Sequence, residues 1–253
     1  MAGFAVAGRS WLHRLDPMSK LLMTGVALAL VFVWPTLVGN AAVVLVVGVL
    51  LVSAGVGAAA AKAFTAVLLA AATFLVVQGI ANPAGATLVV DLGPLSLYRE
   101  GLAVGALLAL RLFGILGAML LTLLTTRPTD LVEALTRRGL PHRAGWVLAS
   151  VVQIIPTVVH RYSVVRDAQA ARGLEARGSP LRRLRAATAV LGPVVTSSLV
   201  AAEERALALE VRGFSAEGPR TYLREEQQPG WAPAVRAAAV AVLVVAVVWR
   251  LAG

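Results

Sequence analysis

The sequence predicts an all-α, polytopic membrane protein, with about five spanning helices and a cytoplasmic module of two or three amphipathic helices. Three observations predict it. Apolar residues make up 58% of the 253 residues and mean hydropathy is +0.81, more than a soluble core takes up. They fall in long runs, each measurable against the roughly 20 residues that a spanning helix needs. Between two of these runs lies a stretch, Ala168 to Thr221, rich in arginine and alanine and punctuated by glycine.

Net charge is +10 and the pI is about 11.4. Nucleic-acid binding is one source of such a balance, but in a membrane chain basic residues mark cytoplasmic loops and anionic headgroup contact. Aromatic residues are sparse, and none punctuates the basic stretch as a base-stacking platform requires. The lipid bilayer is therefore an expected partner and nucleic acid is not. Cysteine is absent, which excludes a disulfide frame, a thiolate metal site and a cysteine nucleophile.

Arg9, His13, Arg14 and Lys20 precede the first apolar run, which no small-residue cleavage site closes, so it reads as a retained span. Asp16-Pro17 suits an N-cap and first helical position, where the carboxylate accepts orphan N–H groups and proline has none to waste. The first span runs from Lys20 to about Val38. The second covers Asn40 to Ala61, with Lys62 at the turn, and the third Phe64 to Ile80. Residues 82–99 hold Pro83, Gly85 and Gly93-Pro94 and read as an extracytoplasmic loop. Gly101 to about Thr126 is the fourth span. An N-terminus inside puts Lys62 and the Arg127–Arg143 cluster inside too, as the positive-inside rule requires. Arg111, near the middle of the fourth span, must face protein or water rather than lipid. Either pairing within the bundle or contact with a partner satisfies it.

Thr129 to Gly139 reads as a short surface helix with Leu131, Ala134 and Leu135 on its apolar side. Asp130 and Glu133 resemble a capping box, and Gly139 and Pro141 end it. Ala144 to Val159 is thin for a span. It reads as a dip into the bundle that continues as a helix to Arg172.

Between Arg161 and Arg224 there are 11 arginines, 6 acidic residues and no lysine. Arginine offers a planar fork of donors suited to carboxylates. Gly173, Gly178 and Gly213 each suit the left-handed position after a helix, which leaves the preceding arginine at the negative helix end. Ser179-Pro180 restarts a helix, and Gly192-Pro193 is expected to bend or break it. Val195, Leu199, Ala202, Ala206 and Leu209 are expected to form its apolar stripe. Trp231, Pro233 and Arg236 lead into a last run, Ala237 to Val248, anchored by Trp249 and Arg250, with the C-terminus outside. The domains are then a four-span bundle over 1–126, the cytoplasmic module over 127–230 and a final span over 231–253.

Asp167 stands without the spaced aspartates that hold hard divalent cations, and His13, His142 and His160 are too scattered for a metal or a catalytic relay. No catalytic or metal residue is expected. No Gly-rich phosphate loop is present either, so nucleotide belongs elsewhere.

LHRLDPMSKLL, LLALRLF in the fourth span, TTRPTDLVEAL after it, then AQAARG and LEVRGF…GPRT together resemble the transmembrane T component of energy-coupling factor (ECF) transporters. This family includes the cobalt/nickel and biotin permease subunits. The resemblance covers nearly the whole chain. Its specific part is a pair of Ala-Arg-Gly signatures, matched to Ala171-Arg172-Gly173 and Val211-Arg212-Gly213, the second with valine where alanine is usual. Ala176-Arg177-Gly178 spells the same triplet and is a rival for the first, whereas the AQAARG context favours 171–173.

The resemblance implies a non-catalytic scaffold in the inner (plasma) membrane of a prokaryote. It joins two cytoplasmic ABC ATPases, which bind ATP and Mg, to a small integral-membrane substrate-binding subunit for vitamin or transition-metal uptake. The chain itself would hold no cofactor. The signature arginines would end coupling helices docked on the ATPases, with Arg177, Arg205, Glu210 and Arg111 as secondary partner contacts. Two alternatives stand beside it. One is a conventional ABC importer permease, because Glu133-Ala134 and Gly139 resemble the start of its coupling loop. The other is a membrane-embedded lipid-headgroup transferase.

Overall fold

A computed structural model describes residues 10–81, 87–91, 96–174, 179–216, 218 and 229–252. Helix α1 (Pro17–Val33) opens on Pro17. Helix α2 (Leu37–Ser53) is capped by the Thr36 hydroxyl, which accepts from Gly39 N at 3.1 Å. It ends where Gly55, at φ 74°, lets Val56 N reach Leu51 O at 3.1 Å. Helix α3 (Gly57–Ala81) follows. The turn between the second and third apolar helices therefore lies at Ala54–Val56. The expected turn at Lys62 is corrected: Lys62 is an exposed residue within α3, and the positive-φ glycine, not the lone charge, marks the boundary.

Strands β1 (Leu88–Asp91) and β2 (Ser96–Tyr98) form an antiparallel pair, Leu88 opposite Tyr98, in the loop expected outside. Helix α4 (Arg99–Thr125) is the central helix and packs on α1, α2 and α3. Its close approaches are made on small residues. A Cβ on Gly101 would run into the Gln78 carbonyl oxygen, and one on Gly105 would sit 2.8 Å from Phe74 O. A Cβ on Gly117 would instead meet a side chain, Val47 Cγ1 at 2.9 Å.

Helix α5 (Pro128–Arg137) begins before the expected start and has Pro128 in its first turn. The expected capping box does not form: Arg127 is the N-cap, with no side-chain bond, and Glu133 pairs with Arg137 at 2.6 Å instead. The chain continues through α6 (His142–Ala171), α7 (Pro180–Val211) and α8 (Ala232–Ala252).

The chain divides into two compact units, one made of α1–α5 with the strand pair and α8, the other running from Leu140 through α6 and α7. In the first unit the LHRLDPMSKLL segment is a buried corner. Leu12, Leu15, Ser19 and Lys20 are all at most 2% exposed. Lys20 Nζ donates to Thr125 O at 2.9 Å, closing the last turn of α4, and Thr24 Oγ1 donates to Ala118 O at 3.2 Å, about two turns deeper on α4. Asp16 is the N-cap of α1 but makes no cap bond. Its fully buried carboxylate instead accepts from Arg138 Nη2 at 3.0 Å, just past α5. At the far end Asn40 Nδ2 donates to Trp34 O at 2.8 Å, and Arg250 Nη1 of α8 donates to Val33 O at 2.8 Å.

Five helices, α3, α4, α6, α7 and α8, are long and apolar enough to cross a membrane. By length and composition alone the number equals the expected five, with α6 and α7 included and the shorter apolar α1 and α2 left out. α1 and α2 have 17 residues each, about 25 Å, somewhat short of the ~30 Å hydrocarbon thickness. On α2, Leu45, Val49 and Val52 are 66%, 59% and 71% exposed, a surface suited to lipid.

In the second unit the thin 144–159 segment is part of the 30-residue α6, which passes through Pro156. Pro193 does not break α7. Hydroxyls beside both prolines bond to helix carbonyls, Thr157 to Gln153 O and Thr196 to Gly192 O. The buried residues of α7 are Ala186, Val190 and Val194. The expected stripe is corrected: Val195 and Leu199 remain 54% and 62% exposed, one residue, hence about 100°, out of phase.

Asp16 and Arg138 are unequal partners. The Asp16 side chain is fully buried, whereas that of Arg138 is 37% exposed. Arg138→Gln strands a buried carboxylate and should cost about 3–5 kcal/mol; Asp16→Asn leaves a guanidinium that water can reach and should cost about 1–2 kcal/mol. Thermal unfolding of the purified chain checks the order, and the double variant should be less destabilised than the sum. Separately, Gly105→Leu should abolish the α3–α4 approach and lower the yield of folded protein, whereas Gly48→Leu, whose Cβ meets nothing within 4 Å, should leave it unchanged.

Candidate functional site

Helices α6 and α7 end alike. Arg172 is the C-cap of α6 and Arg212 that of α7. Each is followed by a left-handed glycine, Gly173 at φ 85° and Gly213 at φ 71°. Gly173 N donates to Ala170 O at 3.0 Å and Leu174 N to Gln169 O at 3.0 Å. At the other end Gly213 N donates to Glu210 O at 2.9 Å and Phe214 N to Leu209 O at 3.0 Å. This is the same double closure of orphan carbonyls twice over. Glycine is required by the dihedral rather than by space, since a Cβ at Gly173 meets nothing within 4 Å and one at Gly213 only Ala216 at 3.9 Å.

The backbone closes these ends by itself, so the arginine side chains are not used for it. Ala171, Arg172, Gly173, Val211, Arg212 and Gly213 are all exposed. Among the described residues no hydrogen bond or ion pair engages the Arg172 or Arg212 guanidinium. Each therefore presents a cation and a planar fork of donors at the negative end of a long helix, an arrangement suited to bidentate capture of a carboxylate.

The two tips lie at opposite ends of the helix pair. Phe214, just past α7, packs on His142 and Trp146 at the start of α6, with ring centroids 5.3 and 5.5 Å apart. Arg161 Nη1 donates to Ser197 O at 2.8 Å partway along both helices. The helices thus run antiparallel. Arg212 sits by the beginning of α6 and Arg172 at its end, roughly a 45 Å helix length away.

Phe214 was not singled out in the sequence. Its signal was available: it is the residue after a C′ glycine, where an apolar side chain commonly locks a helix end. Leu174 is its half-buried counterpart at the other tip.

The remaining candidates do not join one site. Arg205 and Glu210 are exposed on α7, and Arg177, with the rival triplet 176–178, lies outside the described residues. Arg111 is half-buried in the other unit, its Cζ 5.2 Å from the centre of the Phe32 ring. A guanidinium over an aromatic face explains how this charge is held within the helices. Among the described residues there is no group of three or more His, Asp or Glu placed to hold a metal ion.

The family profile described as CbiQ, cobalt transport protein, matches residues 8–223. Curated relatives carry the name energy-coupling factor transporter transmembrane protein EcfT, three of them as follows. The protein of Bacillus selenitireducens is 34% identical over 88% of this chain and 87% of its own length. That of Listeria innocua is 31% identical over 88% and 87%, and that of Exiguobacterium sibiricum 27% identical over 90% of each. The chain belongs to this family, the transmembrane T components of energy-coupling factor transporters.

Proposed function

We propose that the chain is the scaffold and energy-coupling subunit of an ECF-type importer, and that Arg172 and Arg212 are its docking points for two cytoplasmic ABC ATPases. The observation that carries this reading is the repetition of one exposed arginine-tipped helix end at both extremities of an antiparallel pair. Tips roughly a helix length apart suit two separate partner surfaces better than one groove, provided α6 and α7, the least apolar of the five long helices, lie along the cytoplasmic membrane face instead of crossing the bilayer. ATP and Mg bind on those partners, and closure of the ATPase pair moves the tips. A small membrane subunit that carries a vitamin or a transition-metal ion then reorients on the scaffold, with Arg205, Glu210, Arg111 and Arg177 as secondary contacts. The chain itself acts without a cofactor and catalyses no reaction.

The protein lies in the prokaryotic plasma membrane with its N-terminus cytoplasmic and its C-terminus outside, an orientation supported by the basic residues at Arg9, Arg14 and Arg127–Arg143. The permease alternative would place coupling on α5, but Ala134 there is buried and Glu133 is engaged by Arg137. That helix is committed to packing.

Truncating one partner of a docked charge pair costs about 2–5 kcal/mol. Arg172→Ala and Arg212→Ala should each weaken capture of the ATPase pair about 30-fold or more and reduce uptake, at wild-type amounts of chain in the membrane. Lysine at either position should restore only part, because an ammonium cannot form the two-pronged bond. Normal co-purification of the ATPases and normal uptake in both alanine variants would reject the assignment.

A further inference from the structure

The first unit carries a groove that the coupling role does not use. It has a volume of about 470 Å³ and runs between α1 and α8. Met18, Leu22 and Gly25 of α1 and Leu243 of α8 give it apolar walls, and Arg138 and Arg236 line it as well. Both arginines belong to one end. Arg138 bonds Asp16 at the start of α1, and Arg236 lies in the first turns of α8. Gly25 and Leu243 are each seven residues beyond Met18 and Arg236, about 10 Å farther along their helices. Trp11 and Trp231 contact each other at the arginine end, with centroids 5.7 Å apart. An aromatic pair of this kind sits at headgroup level in a membrane.

The shape and the charge together select the occupant. A guanidinium has five donors, and the bond to Asp16 uses one Nη of an Arg138 side chain that is 37% exposed. Donors from two arginines at one end suit a phosphate, which arginine grips in bidentate fashion. The apolar length beyond suits a hydrocarbon chain lying parallel to the helices. Gly25 opens the wall there, since a Cβ on it would meet nothing within 4 Å. The volume falls within the range of about 300–1,000 Å³ of specific ligand sites.

We propose that this groove holds an anionic phospholipid, its phosphate on Arg138 and Arg236 and one acyl chain laid between α1 and α8. The lipid completes the packing of the last helix onto the first. It is selected by its headgroup, unlike the lipid that merely surrounds the protein.

The test uses the full-length chain, purified in detergent and stripped of lipid, with the thermal unfolding midpoint as readout. Phosphatidylglycerol should raise the midpoint. Phosphatidylcholine with the same acyl chains, and inorganic phosphate alone, should give little of that rise. Gly25→Leu fills the groove and should lose the phosphatidylglycerol response while keeping the lipid-free midpoint. Arg236→Gln should shift the half-saturating lipid concentration about fivefold upward, the worth of one arginine near an anionic surface.

Equal responses to the two phospholipids would overturn the proposal, as would a full response to inorganic phosphate. It also fails if both variants respond like the wild type. A crosslink from Gly25→Cys to a protein partner in the intact transporter, undiminished by added phosphatidylglycerol, would assign the groove to that partner instead.

Discussion

A lysine ammonium buried on the carbonyl of Thr125 fixes the end of the central helix of the first unit. The last carbonyls of any helix lack partners and carry the negative end of its dipole. Lys20 supplies a cation and a donor there from the first turn of α1, so one bond between residues 105 positions apart ties two helices together. Asp16, four residues earlier, reaches α5 through Arg138 in the same corner. Leu12 and Leu15 seal it from water. A charged corner of this kind is tolerable only where every ion has a partner, which is why the LHRLDPMSKLL segment reads as one block rather than as a loop followed by a helix.

The molecule closes its helix ends in two ways. In the first unit several ends are closed by side chains borrowed from other helices: Lys20 on α4, Arg250 on Val33 O and Asn40 on Trp34 O at the end of α1. Each of those side chains gives a donor to the closure. At α6 and α7 a left-handed glycine lets the backbone close itself. The arginine at the cap then has no structural duty among the described residues, and its donors face outward.

Much of this was legible in the sequence because it depends on local chemistry. A glycine after an arginine at the end of an alanine-rich run fixes the helix stop, the positive φ and the exposure of the cap residue together. Ser179-Pro180 likewise marks the start of α7. What was not legible depends on neighbours distant in sequence. Asp16 looked like a helix cap because no sequence pattern reveals that Arg138 will meet it. The stripe on α7 was assigned one residue out of phase because Val194 and Val195 are chemically equivalent until a partner helix chooses between them. Lys62 drew the boundary of a span toward itself, although Gly55 was the stronger signal. The opposed placement of the two tips was invisible for the same reason, since it rests on Phe214 meeting His142 and Trp146.

That opposed placement bears on how the proposed coupling can work. A helix transmits displacement along its axis because its hydrogen bonds are internal, whereas a loop absorbs it in its dihedrals. Pro156 and Pro193 would be weak points if they broke their helices, yet both helices run through them. Arg161 joins the pair partway along, on the backbone oxygen of Ser197. In the proposed coupling, two stiff rods joined between their ends, each with a cation at one extremity, would convert a change in distance between two partners into a movement of one rod against the other. A single tip could report only whether one partner is bound. In the proposed coupling, two tips on antiparallel rods would respond to the separation of the partners, the quantity that ATP binding and hydrolysis change in a pair of ATPases.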